Sequence, residues 1–268
     1  MKLDELKGHW ALVTGASSGI GREYCLQLAK AGVNTVLVAR RKERLDELRA
    51  QIEGAFGARA LVVPADLGRS GEAARIHGVL QEKSIRIRLL CNAAAFGQWG
   101  RFEGADADLY TAMVQVNTSA LVSLCRVFME DLAGYSSSAI INVSSPAAYQ
   151  PVPYMAVYAA TKAFVHSFSQ ALHGEWKSRG VLVQTLVPGP TATEFDTKAG
   201  AYESALKGRQ PASTVVRRSL RELEHGSPVA SSATGSFKQR LFAALAPPAM
   251  VIRTVGKMFA PPDGGAEG

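Results

Sequence analysis

The chain has 268 residues, 47% of them hydrophobic and 20% charged, which is enough to bury a full core as one large α/β domain and too apolar for a disordered chain. The formal net charge of +7 invites a nucleic-acid reading, but nine Lys/Arg against four Asp/Glu lie beyond residue 203, the rest is nearly balanced, and no groove pattern of interleaved basic and aromatic residues accompanies the charge. Lys2, Asp4, Glu5, Lys7 and His9 break up the start, so an export signal is not expected and a cytoplasmic address is the default.

From the N-terminus to about residue 190, short apolar runs rich in β-formers alternate with helical patterns, the signature of βαβ units around a parallel sheet. Strands are predicted at Trp10–Thr14, Thr35–Ala39, Ala60–Val63, Ile87–Cys91, Ala139–Val143 and Val181–Val187, with a weaker seventh near Pro228–Ser232. The expected fold class is therefore a Rossmann-like, doubly wound parallel sheet with helices on both faces, which binds ligands beyond its strand carboxyl ends. Residues 1–195 would form the core of this single domain. Residues 196–268 would add substrate-side helices, the weak strand and a basic, apolar tail.

Directly after the first strand stands Thr14-Gly15-Ala16-Ser17-Ser18-Gly19-Ile20-Gly21, running into a helix start. Such glycines let the backbone turn tightly and approach a diphosphate, while the helix amino end offers unpaired N–H groups. A plain turn between strand and helix is the bland alternative. At the end of the second strand, where many dinucleotide binders carry an acid for the ribose 2′-hydroxyl, this chain has Arg40 and Arg41, followed by Lys42 and Arg44. A guanidinium suits a 2′-phosphate, so the cofactor favoured is NADPH over NADH. After the third strand, Asp66 with Leu67 is placed to meet the adenine or to N-cap the next helix.

Cys25, Cys91 and Cys125 sit in apolar segments without metal-ligand spacing, so neither a disulfide framework nor a metal site is expected. Further along, Tyr158-Ala159-Ala160-Thr161-Lys162 follows Ser145 by thirteen residues. On a helix, Tyr158 and Lys162 share one face about 5–6 Å apart at Cβ. A free phenol titrates near ~10, and an adjacent ammonium would lower it toward a useful acid. Tyr149 and Tyr154 lack such a partner, being followed four residues on by Pro153 and Tyr158.

With these motifs in place, the chain resembles the short-chain dehydrogenase/reductase family over about residues 8–195. The resemblance implies several further site residues. Cys91-Asn92-Ala93-Ala94 stands where the family has Asn-Asn-Ala-Gly, and Ala94 adds a methyl where the cofactor passes. Asn117 matches the helix asparagine that kinks its helix and holds a relay water. Ser145 matches the family serine, with Ser144 the less favoured neighbour. Pro188-Gly189-Pro190-Thr191-Ala192-Thr193 matches the loop in which Thr193 bonds the nicotinamide carboxamide. The implied chemistry is hydride transfer from NADPH to a carbonyl, with Ser145 bonded to the oxygen, Tyr158 as general acid, and Lys162 tuning the phenol and holding the ribose. The family also commonly pairs through two long helices, here Asp106–Leu132 and Met155–Arg179, so a homodimer or homotetramer is implied.

No charged residue lies between Pro146 and Val157, a stretch with Tyr149, Pro151, Val152, Pro153, Tyr154 and Met155. Together with Phe96, Trp99, Phe102, Phe195 and Tyr202 it suggests a bulky, uncharged carbonyl substrate. Beyond Gly226 the segment Phe237–Met258 is apolar and basic, and Pro247-Pro248, Arg253 and Lys257 argue against a spanning helix. Packing on the core or on a subunit is preferred there to lying on a membrane surface. Two other functions share the same residues: a non-catalytic NADPH sensor or scaffold, and an epimerase or dehydratase that retains its cofactor.

Overall fold

The computed structural model describes residues 1–201, 208–234 and 236–261. Its main sheet has seven strands: β1 (Trp10–Thr14), β2 (Asn34–Ala39), β3 (Ala60–Pro64), β4 (Ile87–Asn92), β5 (Ser138–Val143), β6 (Val181–Val187) and β9 (Val229–Ser231). They are parallel in the order β3-β2-β1-β4-β5-β6-β9. The predicted strands and fold are thus found, with no strand end displaced by more than one residue. A two-stranded pair that the sequence did not suggest, β7 (Thr191–Ala192) and β8 (Gln210–Pro211), stands beside the main sheet.

Side chains alternate across a strand, and here both alternating sets are apolar, which forces helices onto both faces. On one face Val13, Leu37, Leu89 and Ile141 join a cluster with Tyr24 and Leu28 of α1 (Gly19–Lys30), Leu45 and Leu48 of α2 (Lys42–Phe56) and Leu220 of α9 (Ala212–Glu224). On the other, Leu12, Val36, Leu90 and Ile140 meet Ile76 and Leu80 of α3 (Glu72–Glu82), Leu121 and Leu124 of α5 (Ala120–Val127), and Val165 and Leu172 of α7 (Ala156–Trp176). Each fully buried leucine or isoleucine contributes roughly 1.5–3 kcal/mol.

The predicted continuous helix over residues 106–132 is broken in three. α4 (Ala107–Val114) passes through a π turn at Gln115–Ser119 into α5, and α6 (Met129–Ala133) follows after Phe128. Asn117 lies inside the π turn, as a kink at that residue requires. After β6 come α8 (Phe195–Ala199) and, past α9 and β9, α10 (Ser236–Leu245) and α11 (Pro248–Phe259). One face of the tail does pack on the core: Val251 and Val255 are buried with Met113, Val152, Met155 and Tyr158. No helix among the described residues is long and apolar enough to cross a membrane. The three cysteines are buried and free.

Candidate active site

At the carboxyl ends of the strands lies a cavity of about 890 Å³, and all but two of the catalytic and cofactor-binding residues read from the sequence, Asn92 and Asn117, border it. Its floor is the turn from β1 into α1. A Cβ on Gly21 would lie 2.4 Å from the Gly15 carbonyl oxygen, so only glycine lets α1 start this close to the strand. Gly15 itself has φ +69°, and a side chain there would press on Ala94 at 3.0 Å. Ser17, Ser18, Gly19, Ile20 and Gly21 border the cavity at the amino end of α1, where unpaired N–H groups concentrate. This cradle fits a diphosphate.

Thr14, outside the set read from the sequence, fixes the opposite bank. Its hydroxyl oxygen accepts from the amides of Ala93 (3.0 Å) and Ala94 (3.1 Å), tying the end of β1 to the end of β4. A threonine at a strand end beside a glycine loop was the available signal. Of the neighbouring residues, Ala93 and Ala94 reach the cavity but Asn92 does not: its amide donates to Asn142 Oδ1 at 2.9 Å inside the sheet. The Asn92 amide is thus turned into the sheet and away from the cavity, where the sequence led a cofactor contact to be expected.

The basic end of the cavity is more elaborate than its sequence. Arg40 and Arg41 both border it. Arg41 donates to Ser17 Oγ (2.9 Å) and Ser18 Oγ (3.0 Å) and pairs with Glu194 at 2.9 Å. Glu194 also pairs with Arg44 and, at 2.6 Å, with Lys198. Hydrogen bonds from Lys198, Arg44 and Arg41 hold its carboxyl down at about 2. Glu194 was absent from the sequence reading because two of its partners, Arg41 and Arg44, lie 153 and 150 residues away in the chain. Asp66 and Leu67 border the cavity, and Asp66 Oδ1 accepts from the Gly68 amide at 3.1 Å. It does not N-cap α3, whose cap is Gly71. Pro188, Gly189, Thr191 and Thr193 form the facing wall, where Thr193 sits 3.0 Å from a Cβ built on Gly19. The glycine loop and the loop after β6 thus nearly touch across the cleft.

Tyr158, Lys162 and Ser145 converge on the far half of the cavity. Burial pushes the Tyr158 phenol up to about 12, against a hydrogen bond from Ser145 that works downward. Burial pulls the Lys162 ammonium down to about 8. The expected lowering of the phenol by Lys162 is not found. Lys162 Nζ donates to the Val143 carbonyl at 2.9 Å and lies 5.6 Å from the Tyr158 ring centroid, and burial sets the direction of the phenol's shift. Ser144 is set apart from Ser145 by its bond, the hydroxyl donating to the Lys162 carbonyl at 2.9 Å. Asn117 lies behind the cavity wall. Its amide donates to the Phe96 carbonyl (2.9 Å) and Thr161 Oγ1 (3.1 Å), and its oxygen accepts from the Phe96 amide (3.1 Å). It positions the chain after β4 against α7, and its side chain does not reach the cavity.

The apolar wall is partly as expected and partly replaced. Phe96, Trp99, Val152, Met155 and Phe195 border the cavity. Phe102 does not: it is 63% exposed and stacks on Tyr110. Tyr149 packs edge-on to His166, and Tyr154 lies outside the main cavity. Tyr202 lies outside the described residues. The tail supplies what those residues do not, through Phe242, Val255 and Phe259, with Trp99 Nε1 donating to the Phe259 carbonyl at 2.9 Å. Sequence reading missed these because no local pattern marks which face of a distant helix returns to the site.

A family model described as short chain dehydrogenase matches residues 9–204. A very-long-chain 3-oxoacyl-CoA reductase of Anas platyrhynchos is 35% identical over 192 residues, covering 70% of this chain, which spans 61% of that relative's length. A solved short-chain dehydrogenase from Sphingobium yanoikuyae, in complex with NADPH, is 32% identical with TM-score 0.80, covering 88% of this chain and 93% of its own. A bulky-bulky ketone specific alcohol dehydrogenase from Comamonas testosteroni is 28% identical with TM-score 0.76, covering 96% of each chain.

Proposed function

The chain belongs to the short-chain dehydrogenase family, and from that premise we propose that it reduces the carbonyl of a bulky, largely apolar substrate using NADPH. The observation that carries the reading is the meeting, in one cavity, of a diphosphate cradle at Gly15–Gly21 with the Ser145, Tyr158, Lys162 set. The cofactor preference rests on Arg40 and Arg41 after β2, on Arg44 in the first turn of α2, and on the NADPH in the Sphingobium enzyme. When bound, the reduced nicotinamide supplies the hydride.

The residues of the chain do the rest. Gly15, Gly21 and the first turn of α1 accept the diphosphate, and Thr193 and Thr191 present the wall opposite. Ser145 donates a hydrogen bond to the carbonyl oxygen and aligns it with Tyr158. A phenol held near 12 is fully protonated at neutral pH, so Tyr158 Oη is loaded to donate as charge builds on that oxygen. Lys162, near 8, is mostly ammonium at pH 7 and steadies the phenolate left behind.

The substrate class rests on Phe96, Trp99, Val152, Phe242 and Val255 in the wall. Both 3-oxoacyl thioesters and ketones with two bulky groups suit it, and the named activities of the Anas and Comamonas proteins point the same way. Purified protein with NADPH should lose cofactor absorbance with such ketones and not with small sugars or acids. Equal turnover of polar and apolar carbonyls would remove the substrate assignment, and equal turnover by Tyr158→Phe would remove the mechanism.

A further inference from the structure

Five of the ten large apolar side chains exposed among the described residues, Leu241, Leu245, Met250, Ile252 and Met258, belong to α10 and α11. One face of each helix is already committed, since Phe242, Ala246, Val251, Val255 and Phe259 pack with Tyr158 and Met155. Neighbouring positions on both helices look outward. Lys238, Leu241 and Leu245 follow one another at i, i+3 and i+7 on α10, as do Met250, Arg253 and Lys257 on α11, and all six are exposed.

The charge pattern says what covers this face. Residues 241–252 carry no charge and are bounded by Arg240 and Arg253, with Pro247-Pro248 turning the chain between the helices. Between Glu224 and Asp263 the sequence has Lys238, Arg240, Arg253 and Lys257 and no acid. An uncharged apolar tip inside a cationic collar matches the boundary of an anionic bilayer, where apolar side chains enter the acyl region and cations sit level with the phosphates. A second copy of the chain fits poorly, because a two-fold self-contact sets cations against cations. Self-association also has another surface available, at Leu109 and Val114 of α4 and Phe164 of α7.

We propose that the α10–α11 hairpin docks this protein on an anionic lipid surface. Met258, 73% exposed and also bordering the cavity, lies on the edge of α11 between the packed face and the outward one. On the proposed reading of an apolar substrate, to which this last step alone is tied, the cavity would then draw its ketone from the bilayer.

Flotation of the full chain, without cofactor or substrate, tests the docking independently of catalysis. Vesicles of phosphatidylcholine with a minority of phosphatidylserine should carry about tenfold more protein than phosphatidylcholine alone, and added salt should weaken this. The double variant Leu245→Asp, Met250→Asp, at two positions outside the cavity wall, should fall to the neutral-vesicle level while keeping its circular dichroism and its turnover of a water-soluble ketone. Arg253→Glu with Lys257→Glu should do the same. Failure of the wild type to prefer anionic vesicles, or undiminished flotation of the Asp variant, overturns the proposal. So does a wild type that does not float but forms dimers by light scattering which Leu245→Asp dissociates, since the face is then a self-contact.

Discussion

Arg41 and Glu194 are joined at 2.9 Å across the mouth of the cleft, linking the end of β2 to the loop after β6. The pair is about one-third exposed on each side, where such bridges are worth roughly 0–1 kcal/mol. A 2′-phosphate, bringing more charge and bidentate geometry, outcompetes a contact of that size. Arg41→Ala should therefore raise the Kd for NADPH about tenfold or more and leave NADH nearly unchanged. Glu194→Gln should tighten NADPH a few-fold and shift the melting free energy by under about 1 kcal/mol. Fluorescence titration with both cofactors reads the first effect, and denaturant melts read the second. Equal losses for NADPH and NADH in Arg41→Ala would place the 2′-phosphate elsewhere.

Tyr158→Phe keeps the ring that packs on Phe195, at a centroid distance of 5.2 Å, and removes only the hydroxyl. Activity should fall about 10²–10⁴-fold, the range for loss of a general acid, with cofactor affinity retained. Single-turnover kinetics beside a cofactor titration separate the two. A variant that loses binding and rate together would mean that the hydroxyl holds the cofactor and not the proton.

Lys162 gives the site its pH dependence. In the folded chain it titrates near 8, against 10.5 for an ordinary lysine. Below about 8 it is charged in both folded and unfolded states, so the cost of its burial is fully present. Between about 8 and 10.5 the unfolded chain binds more protons, and stability rises with pH by at most a few kcal/mol. Tyr158, with its phenol near 12 instead of 10, opposes this only above about 10, where the folded state holds the extra proton. Urea melts at about pH 7 and about pH 9.5 should show the gain in the wild type and not in Lys162→Met. Carbonyl reduction should run the other way, kcat/KM falling as pH rises through about 8 and the ammonium is lost. A flat profile from about pH 7 to 9.5 would mean that the charge on Lys162 is not used.

What was legible in the sequence divides along the range of the interactions. The strands and the glycine loop are local patterns, and Tyr158 with Lys162 is a four-residue spacing on one helix, so all could be read directly. Asn92 and Asn117 could be located but not aimed, since whether a buried amide meets a ligand or Asn142 and Phe96 depends on neighbours from other elements. Glu194 and the cavity faces of α10 and α11 were invisible for the same reason. The direction of the phenol's shift was not legible because a spacing reports how near Lys162 is and says nothing of burial, which here raises the phenol and lowers the ammonium.

The glycine cradle offers a test that needs no substrate. Gly21→Ala would place its methyl 2.4 Å from the Gly15 carbonyl oxygen, 2.7 Å from its carbon and 2.9 Å from the Thr14 carbonyl oxygen. All three are backbone atoms, so no rotamer change relieves the contact and α1 must move off the strand. Overpacking of this kind costs about 1–3 kcal/mol, and Tyr24, buried on the same helix with its hydroxyl bonded to Ser219 at 2.6 Å, resists the shift. The variant should melt earlier by that amount and bind NADPH at least about tenfold more weakly, because the first turn of α1 no longer meets the diphosphate. Gly78→Ala, a helix position with nothing within 4 Å of its Cβ, is the control and should be neutral or slightly stabilising. Calorimetry and cofactor titration on both variants decide the matter: NADPH affinity unchanged in a destabilised Gly21→Ala would show that the cofactor does not rest on this turn.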